Sequence, residues 1–116
     1  MTADACLFCR IASKEIPARI VYEDADVIAF EDIAPQAPVH VVVIPRRHLA
    51  SLRDVGEGDS ALMIKLIGVF NQLAKDFGLA ESGYRLVSNI GRDAQQSVPH
   101  LHLHLLGGRP FRWPPG

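Results

Sequence analysis

Ser97-Val98-Pro99-His100-Leu101-His102-Leu103-His104-Leu105-Leu106 is the stretch on which the rest of the chain depends. Histidine alternates with leucine, the period of two expected of a strand with one polar and one apolar face. Same-face neighbours on a strand stand about 6.6–6.8 Å apart. His100, His102 and His104 are therefore expected to line a common surface while the leucines pack on a core. Near neutral pH imidazole acts as a nucleophile, a general acid or base, or a metal ligand. The plainer alternative is a solvated strand face that merely uses histidine. With three of the chain's five histidines in perfect alternation, a site is the stronger reading.

The surrounding sequence supplies partners for this strand. Tyr84–Asn89 reads as another strand, and residues 90–96 form a polar turn leading back to the histidines. Pro99 is tolerable near a strand's start, where a missing N–H need not pair. From Asp59 to Phe77 the period becomes helical, with Leu62, Leu66, Val69, Phe70, Leu73 and Phe77 on one apolar stripe. Asp59 or Ser60 is placed to cap its start, and Gly78 to adopt a left-handed cap at its end. His40-Val41-Val42-Val43-Ile44-Pro45 is nearly all β-branched and reads as a central strand buried on both faces. Ile20–Glu23 and Val27–Glu31 form a hairpin around Asp24-Ala25-Asp26. Asp32–Pro38 is a proline-punctuated loop. Cys6–Ala12 reads as a short helical turn, ended before Pro17. About five strands, one long and one short helix and no βαβ alternation predict an α+β fold with an antiparallel sheet.

A chain of 116 residues has room for one core, so residues 1–116 are expected to be a single domain. The net charge of -1 gives no support for a nucleic-acid surface, so an anionic ligand must be held by local donors. Met1-Thr2-Ala3-Asp4-Ala5 has no basic, apolar leader pattern, and no run approaches the roughly 20 apolar residues of a membrane span. Two cysteines make no disulfide framework. These features predict a soluble cytoplasmic protein with neither a nucleic-acid nor a membrane partner.

Asn89, Gln95, Gln96 and Ser97 lie near His102 in sequence, and all are neutral hydrogen-bond donors. Such groups, with backbone N–H and an imidazolium, bind phosphate without a large positive patch. A central histidine among them is placed to attack phosphorus and form a phosphohistidine, a neighbour protonating the leaving group. Cys6-Leu7-Phe8-Cys9 is by itself ambiguous between metal, redox and chance. A thioredoxin-like reading lacks its βαβ context. Tetrahedral zinc needs four ligands, and His48 and His100 are available beside Cys6 and Cys9. The bland alternative is two reduced, partly buried thiols.

His100-Leu101-His102-Leu103-His104-Leu105-Leu106 resembles the motif of the histidine-triad (HIT) superfamily. Phe30-Glu31-Asp32-Ile33, Pro35–His40, Ile44–His48 and the ending Gly107-Gly108-Arg109…Trp113-Pro114-Pro115-Gly116 resemble its Hint branch. The resemblance spans nearly the whole chain. It implies a HIT-like fold whose dimer forms a continuous ten-stranded sheet. It also implies a purine nucleotide-binding hydrolase that cleaves nucleoside 5′-phosphoramidates through a nucleotidyl-histidine. In that scheme His102 matches the nucleophile, and His104 and His40 match histidines supporting it and the phosphate. Asn89, Gln96, Ser97 and Val98 belong to the phosphate loop, Ser97 near the leaving group. Leu7, Phe8, Ile11, Phe30 and Ile33 correspond to the base slot, and Asp32 to the ribose-binding acid. Against this, residues such as Leu7, Ile11 and Ile33 are more often plain core than pocket, and Asp32 equally suits turn chemistry before Pro35.

In relatives that retain C-x-x-C, a structural zinc is held by a set matching Cys6, Cys9, His48 and the first triad histidine, His100. That ion would steady His102 through the shared strand. The tail 107–116, stiff, extended and amphipathic at Trp113, is similar to a Hint segment that crosses the dimer and shapes the partner's active site. The chain departs from the Hint pattern at Ala94-Gln95, where a glycine pair is usual, and at Pro99, where an aromatic residue is common. A dinucleoside polyphosphate hydrolase of the other large branch is the enzymatic alternative. A nucleotide- or zinc-binding interaction protein with incidental hydrolysis is the alternative of another class.

Overall fold

The computed structural model describes residues 5–116; the leader reading above falls mostly on 1–4, outside the described residues. Among the described residues the α-helices and strands follow in the order α1 (Leu7–Ala12), β1 (Ile20–Glu23), β2 (Val27–Glu31), β3 (Val39–Pro45), α2 (Ser60–Asp76), β4 (Tyr84–Val87) and β5 (Leu103–Gly107), with short 3-10 turns at Leu52–Asp54 and Glu57–Asp59 before α2. The strands form one antiparallel sheet in the order β1-β2-β3-β5-β4. The α+β prediction holds.

Strand alternation divides the sheet's side chains into two clusters. On one face Val27, Ala29, Val41, Val43, Leu101 and Leu105 meet Leu66, Val69, Phe70, Leu73 and Ala74 of α2. On the other, Ile28, Phe30, Val42 and Ile44 meet Cys6, Phe8 and Ile11 around α1. The β-branched run of β3 contributes to both, and residues 40–45 are all buried. The long helix closes one side and leaves the other to the short helix and the histidines.

The histidine stretch differs from its sequence reading in one respect. The ladder begins only at Leu103, because Pro99 cannot donate and the preceding backbone finds other partners. His100 N–H bonds the Val98 carbonyl at 2.8 Å, and Leu101 N–H bonds the Leu49 carbonyl at 2.5 Å. The alternation of faces nevertheless extends upstream of the ladder. Leu101 and Leu105 lie under α2, while His100 and His102 are buried on the opposite side at 0% and 4% exposure. The expected surface is a buried row.

Two ends also differ from expectation. β4 stops at Val87 instead of Asn89, and the Ser88 hydroxyl donates instead to the His102 carbonyl at 3.1 Å. The Asp59 side chain does not cap α2; it accepts from Gly56 N–H at 2.9 Å, closing the turn before the helix. Gly78 does take the left-handed conformation, φ +71°, just past α2. No helix among the described residues is long and apolar enough to cross a membrane.

Gly107, the last residue of β5, lies against Leu79, which is 3% exposed. A Cβ there would stand 2.6 Å from a Leu79 methyl. Gly107→Ala is expected to lower stability by ~1–3 kcal/mol in urea denaturation. Combined with Leu79→Ala, it should cost markedly less than the sum of the two single changes.

Candidate active site

Four histidine side chains meet on the α1 side of the sheet, and the hydrogen bonds each makes determine where its proton sits. His100 Nε2 lies 2.8 Å from the Pro45 carbonyl, which only accepts, so this nitrogen carries the hydrogen and Nδ1 presents a lone pair. His102 is the reverse. Its Nδ1 lies 2.7 Å from the His100 carbonyl, so Nδ1 is protonated and Nε2 is the free lone pair. A nucleophile needs that tautomer. Phe8 packs edge-on against the His102 ring at 5.0 Å between centroids and against Phe30 at 5.5 Å, fixing the ring plane.

His40 is oriented by a backbone group: Gln36 N–H donates to its Nδ1 at 3.0 Å. The His40 proton is therefore on Nε2, which donates to His104 Nδ1 at 2.8 Å. His104 in turn keeps its own proton on Nε2. Asp32 Oδ2 stands 3.4 Å from His40 Nε2 and 3.9 Å from His104 Nδ1. The other carboxylate oxygen accepts from Ala34 N–H at 2.8 Å, the turn chemistry its sequence position predicted. Asp32, His40 and His104 are also spaced like metal ligands. The Gln36 donor argues against that use, because it holds the proton on the very His40 nitrogen that would have to bind the ion. The cluster is a hydrogen-bond relay.

Burial lowers the pKa of His40, with the Asp32 charge opposing. It pushes His104 down to about 4, helped by the neighbouring imidazoles His102 and His40. Both are neutral donors at neutral pH.

The cysteines complete a second cluster behind His102. Cys6 Sγ lies 3.3 Å from His100 Nδ1. Cys9 Sγ lies 3.3 Å from His48 Nδ1 and 3.4 Å from His100 Nδ1, and the two Nδ1 atoms are 3.2 Å apart. A tetrahedral zinc, with bonds of about 2.3 Å to sulfur and about 2.0–2.1 Å to nitrogen, would set ligand edges of about 3.6 Å (S–N) and 3.3 Å (N–N). The four donors fit such a site. The Pro45 carbonyl supplies the outer hydrogen bond that metal-binding histidines require. Cys6 also caps α1, its sulfur accepting from Cys9 N–H at 3.4 Å. The cluster thus holds the helix that carries Phe8.

The remaining expected residues fall in two groups. Phe8, Ile11 and Phe30 are buried in one cluster against which Val98 packs, whereas Leu7 is 42% exposed and Ile33 fully exposed. A cleft of about 570 Å³ opens beside Asp32, between Pro17–Arg19 and Glu31–Ile33. In the loop before the histidines, Asn89 is half-buried and Ser97 is exposed. The Gln96 side chain ties the loop together. It donates to the Ala50 and Val98 carbonyls at 2.7 and 3.1 Å and accepts from Gly91 N–H at 3.0 Å. Gln95 sits at φ +60°, a left-handed conformation in which glycine is comfortable. The loop therefore has a glycine-type turn despite the Ala94-Gln95 departure. Trp113 is 83% exposed; upstream of it, Arg85 and Arg109 both pack on the Phe111 ring. The roles of the Gln36 amide, the Pro45 carbonyl and Ser88 had no signal in side-chain identity, since two act through backbone and one through a fold-dependent contact.

The histidine row, on an antiparallel sheet crossed by one long helix, is the arrangement that the histidine-triad resemblance implies. The family model described as scavenger mRNA decapping enzyme C-terminal binding matches residues 5–110. A HIT-like protein of Synechocystis sp. is 48% identical over 114 residues, covering 98% of this chain and 99% of that protein. The crystal structure of a HIT family hydrolase from Legionella pneumophila superposes with a TM-score of 0.94 at 51% identity, covering 96% of this chain and 99% of that one. A histidine triad protein from Clostridium difficile gives 0.92 at 40% identity, with 97% of each chain covered. The chain belongs to the HIT family.

Because His104 titrates near 4 in the fold and near 6.5 when unfolded, the unfolded chain takes up the proton first on acidification. Stability should be full above about pH 6.5 and fall towards pH 4. Thermal midpoints measured across this range should drop less steeply for His104→Gln than for the native chain.

Proposed function

We propose that this chain is a nucleotide-binding hydrolase that cleaves purine nucleoside 5′-phosphoramidates through a nucleotidyl-His102 intermediate. The observation carrying this reading is the His102 tautomer: its Nδ1–H is held by the His100 carbonyl at 2.7 Å, so Nε2 is the unprotonated nitrogen. The similarity to a protein described as a HIT family hydrolase supports it. Attack of Nε2 on phosphorus forms a P–N bond to the ring and breaks the P–N bond to the amine, which takes the Ser97 hydroxyl proton as that exposed hydroxyl draws one from solvent water. The ring becomes cationic as that bond forms, and the His100 carbonyl accepts the stronger Nδ1–H bond. Water then attacks phosphorus, releasing the nucleoside monophosphate and restoring His102. His104 Nε2–H and the loop containing Asn89, Gln96 and Val98 bind the phosphoryl oxygens. Negative charge building there is best met by fixed donors in a dry site.

On this reading the base lies on the apolar residues Phe8, Ile11 and Phe30, flanked by Leu7 and Ile33, and the ribose reaches Asp32. Zinc on Cys6, Cys9, His48 and His100 is structural, since a four-ligand site has no open position. The protein acts in the cytoplasm as a homodimer. In support, β4 stands at the sheet edge with Leu86 40% exposed, and α2 carries Ile64 and Ile67 at 74% and 50% exposure. Trp113 and the rest of the tail then serve the partner's site.

Intact-protein mass after rapid quenching with adenosine phosphoramidate should show a nucleotidyl adduct on the native chain and none on His102→Gly. Turnover of diadenosine polyphosphate in preference to the phosphoramidate would overturn the substrate class. For the metal, elemental analysis should give about one zinc per chain. A strong chelator should lower the thermal midpoint by several degrees, and Cys9→Ser should abolish that sensitivity. A native protein that carries no metal and ignores the chelator would remove zinc from the proposal.

A further inference from the structure

We infer that Arg109, the first side chain of the tail, is a positioning residue: by holding Gln36 it sets the direction in which the His40–His104 pair points its hydrogens. Its effect on the reaction rests on the function proposed above.

Two neutral imidazoles joined by one hydrogen bond have two arrangements. In the first, His40 Nε2–H donates to His104 Nδ1, and His104 presents Nε2–H outward. In the second, His104 Nδ1–H donates to His40 Nε2, His40 carries its hydrogen on Nδ1, and the outward His104 nitrogen is bare. The 2.8 Å contact between the rings suits both. Asp32 Oδ2, 3.4 Å from His40 Nε2 and 3.9 Å from His104 Nδ1, faces the shared hydrogen in either case. The group that separates them is Gln36 N–H, 3.0 Å from His40 Nδ1. In the second arrangement two donors would face each other there, and buried His40 would lose a bond.

Gln36 nevertheless sits in an exposed loop between two prolines, and no residue of 33–38 belongs to either core cluster. Among the described residues, the hydrogen bonds of 33–38 stay with Asp32, Ala34 and His40, with one exception. Arg109 Nη2 donates to the Gln36 carbonyl at 3.0 Å. Arg109 is itself held in place. Its Nη1 donates to the Pro110 carbonyl at 3.1 Å, and its guanidinium lies 4.3 Å from the centre of the Phe111 ring. Arg10, Arg19, Arg46, Arg47 and Arg92 each pair with a carboxylate, whereas Arg109 has none among the described residues. Its donors go to carbonyls, so it ties one backbone segment to another.

Without that tie Gln36 N–H leaves His40 for part of the time, and the second arrangement becomes populated. His104 then turns a lone pair towards the phosphoryl oxygens at the point where negative charge builds. The base and sugar contacts are untouched, so the loss falls on the saturating rate and not on affinity. The tail thereby acts on the site of its own chain.

Amide hydrogen exchange on the full-length protein reads the loop and needs no substrate. In the native chain the Gln36 amide should exchange about tenfold more slowly than that of its neighbour Ala37. Arg109→Met keeps an apolar stem on the Phe111 ring and deletes the donors. It should remove the Gln36 protection while the amides of Val41–Ile44 exchange as before. With saturating adenosine 5′-phosphoramidate, single-turnover formation of the His102 adduct should slow about tenfold, with KM within about twofold. A residue that only supports the fold would not give that split. Equal exchange at Gln36 and Ala37 in the native protein overturns the inference with no variant at all, so a misfolded Arg109→Met does not rescue it. Gln36 exchange unchanged in a folded Arg109→Met overturns it too, as does faster exchange with a native saturating rate. Absence of any adduct on the native protein would instead sink the parent reading, and the exchange rates would still decide whether Arg109 holds Gln36.

Discussion

A buried imidazole must satisfy two nitrogens of opposite character, one donor and one acceptor, and this requirement organises the site. Each unsatisfied nitrogen would cost about 1–3 kcal/mol. His100, wholly buried, meets the requirement with the Pro45 carbonyl on one side and the thiol–imidazole cluster on the other. Its own carbonyl then fixes the proton of His102. Two neighbouring histidines of one sequence motif thus carry their protons on different nitrogens. The same sulfur cluster caps α1 and so holds Phe8 against the His102 ring. Helix capping and the orientation of the His102 ring are two uses of one set of contacts.

The sheet makes this compatible with stability by keeping hydrophobic packing and chemistry on opposite faces. Leu101 and Leu105 fill the side under α2, where Leu66, Phe70 and Leu73 supply apolar bulk. The intervening histidines on the other side are free of that packing duty. Burial on that side lowers the pKa of His40 and His104 and keeps both uncharged at neutral pH. The division follows directly from a two-residue repeat on a pleated strand.

Much of this was legible in the sequence because it depends on periodicity. β1, β2 and β3, the long helix and its Gly78 terminus stand within a residue or so of where their patterns place them. The grouping of Cys6 and Cys9 with His48 and His100, residues up to 94 positions apart, followed instead from the ligand types present and from the family resemblance. What was not legible depends on backbone groups. The start of β5 moved from Ser97 to Leu103 because backbone N–H groups before it bond other loops, which no side-chain pattern encodes. Gln96, expected among the phosphate contacts, spends its amide on three backbone groups and acts as the brace of its loop. Ile33 and Leu7 are apolar yet exposed, so hydrophobicity alone misjudged their packing.

The opposed proton positions on His100 and His102 have a spectroscopic consequence. In neutral imidazole the protonated and bare nitrogens resonate far apart, and long-range coupling to the ring protons tells δ from ε. His40, His100 and His104 share one pattern, with hydrogen on Nε2, whereas His102 carries the mirror-image pattern. Nitrogen-15 spectra of this chain therefore contain an internal label: among these four rings, His102 is the odd one out. Its signal can be followed through ligand binding or loss of the sulfur cluster without altering a single residue.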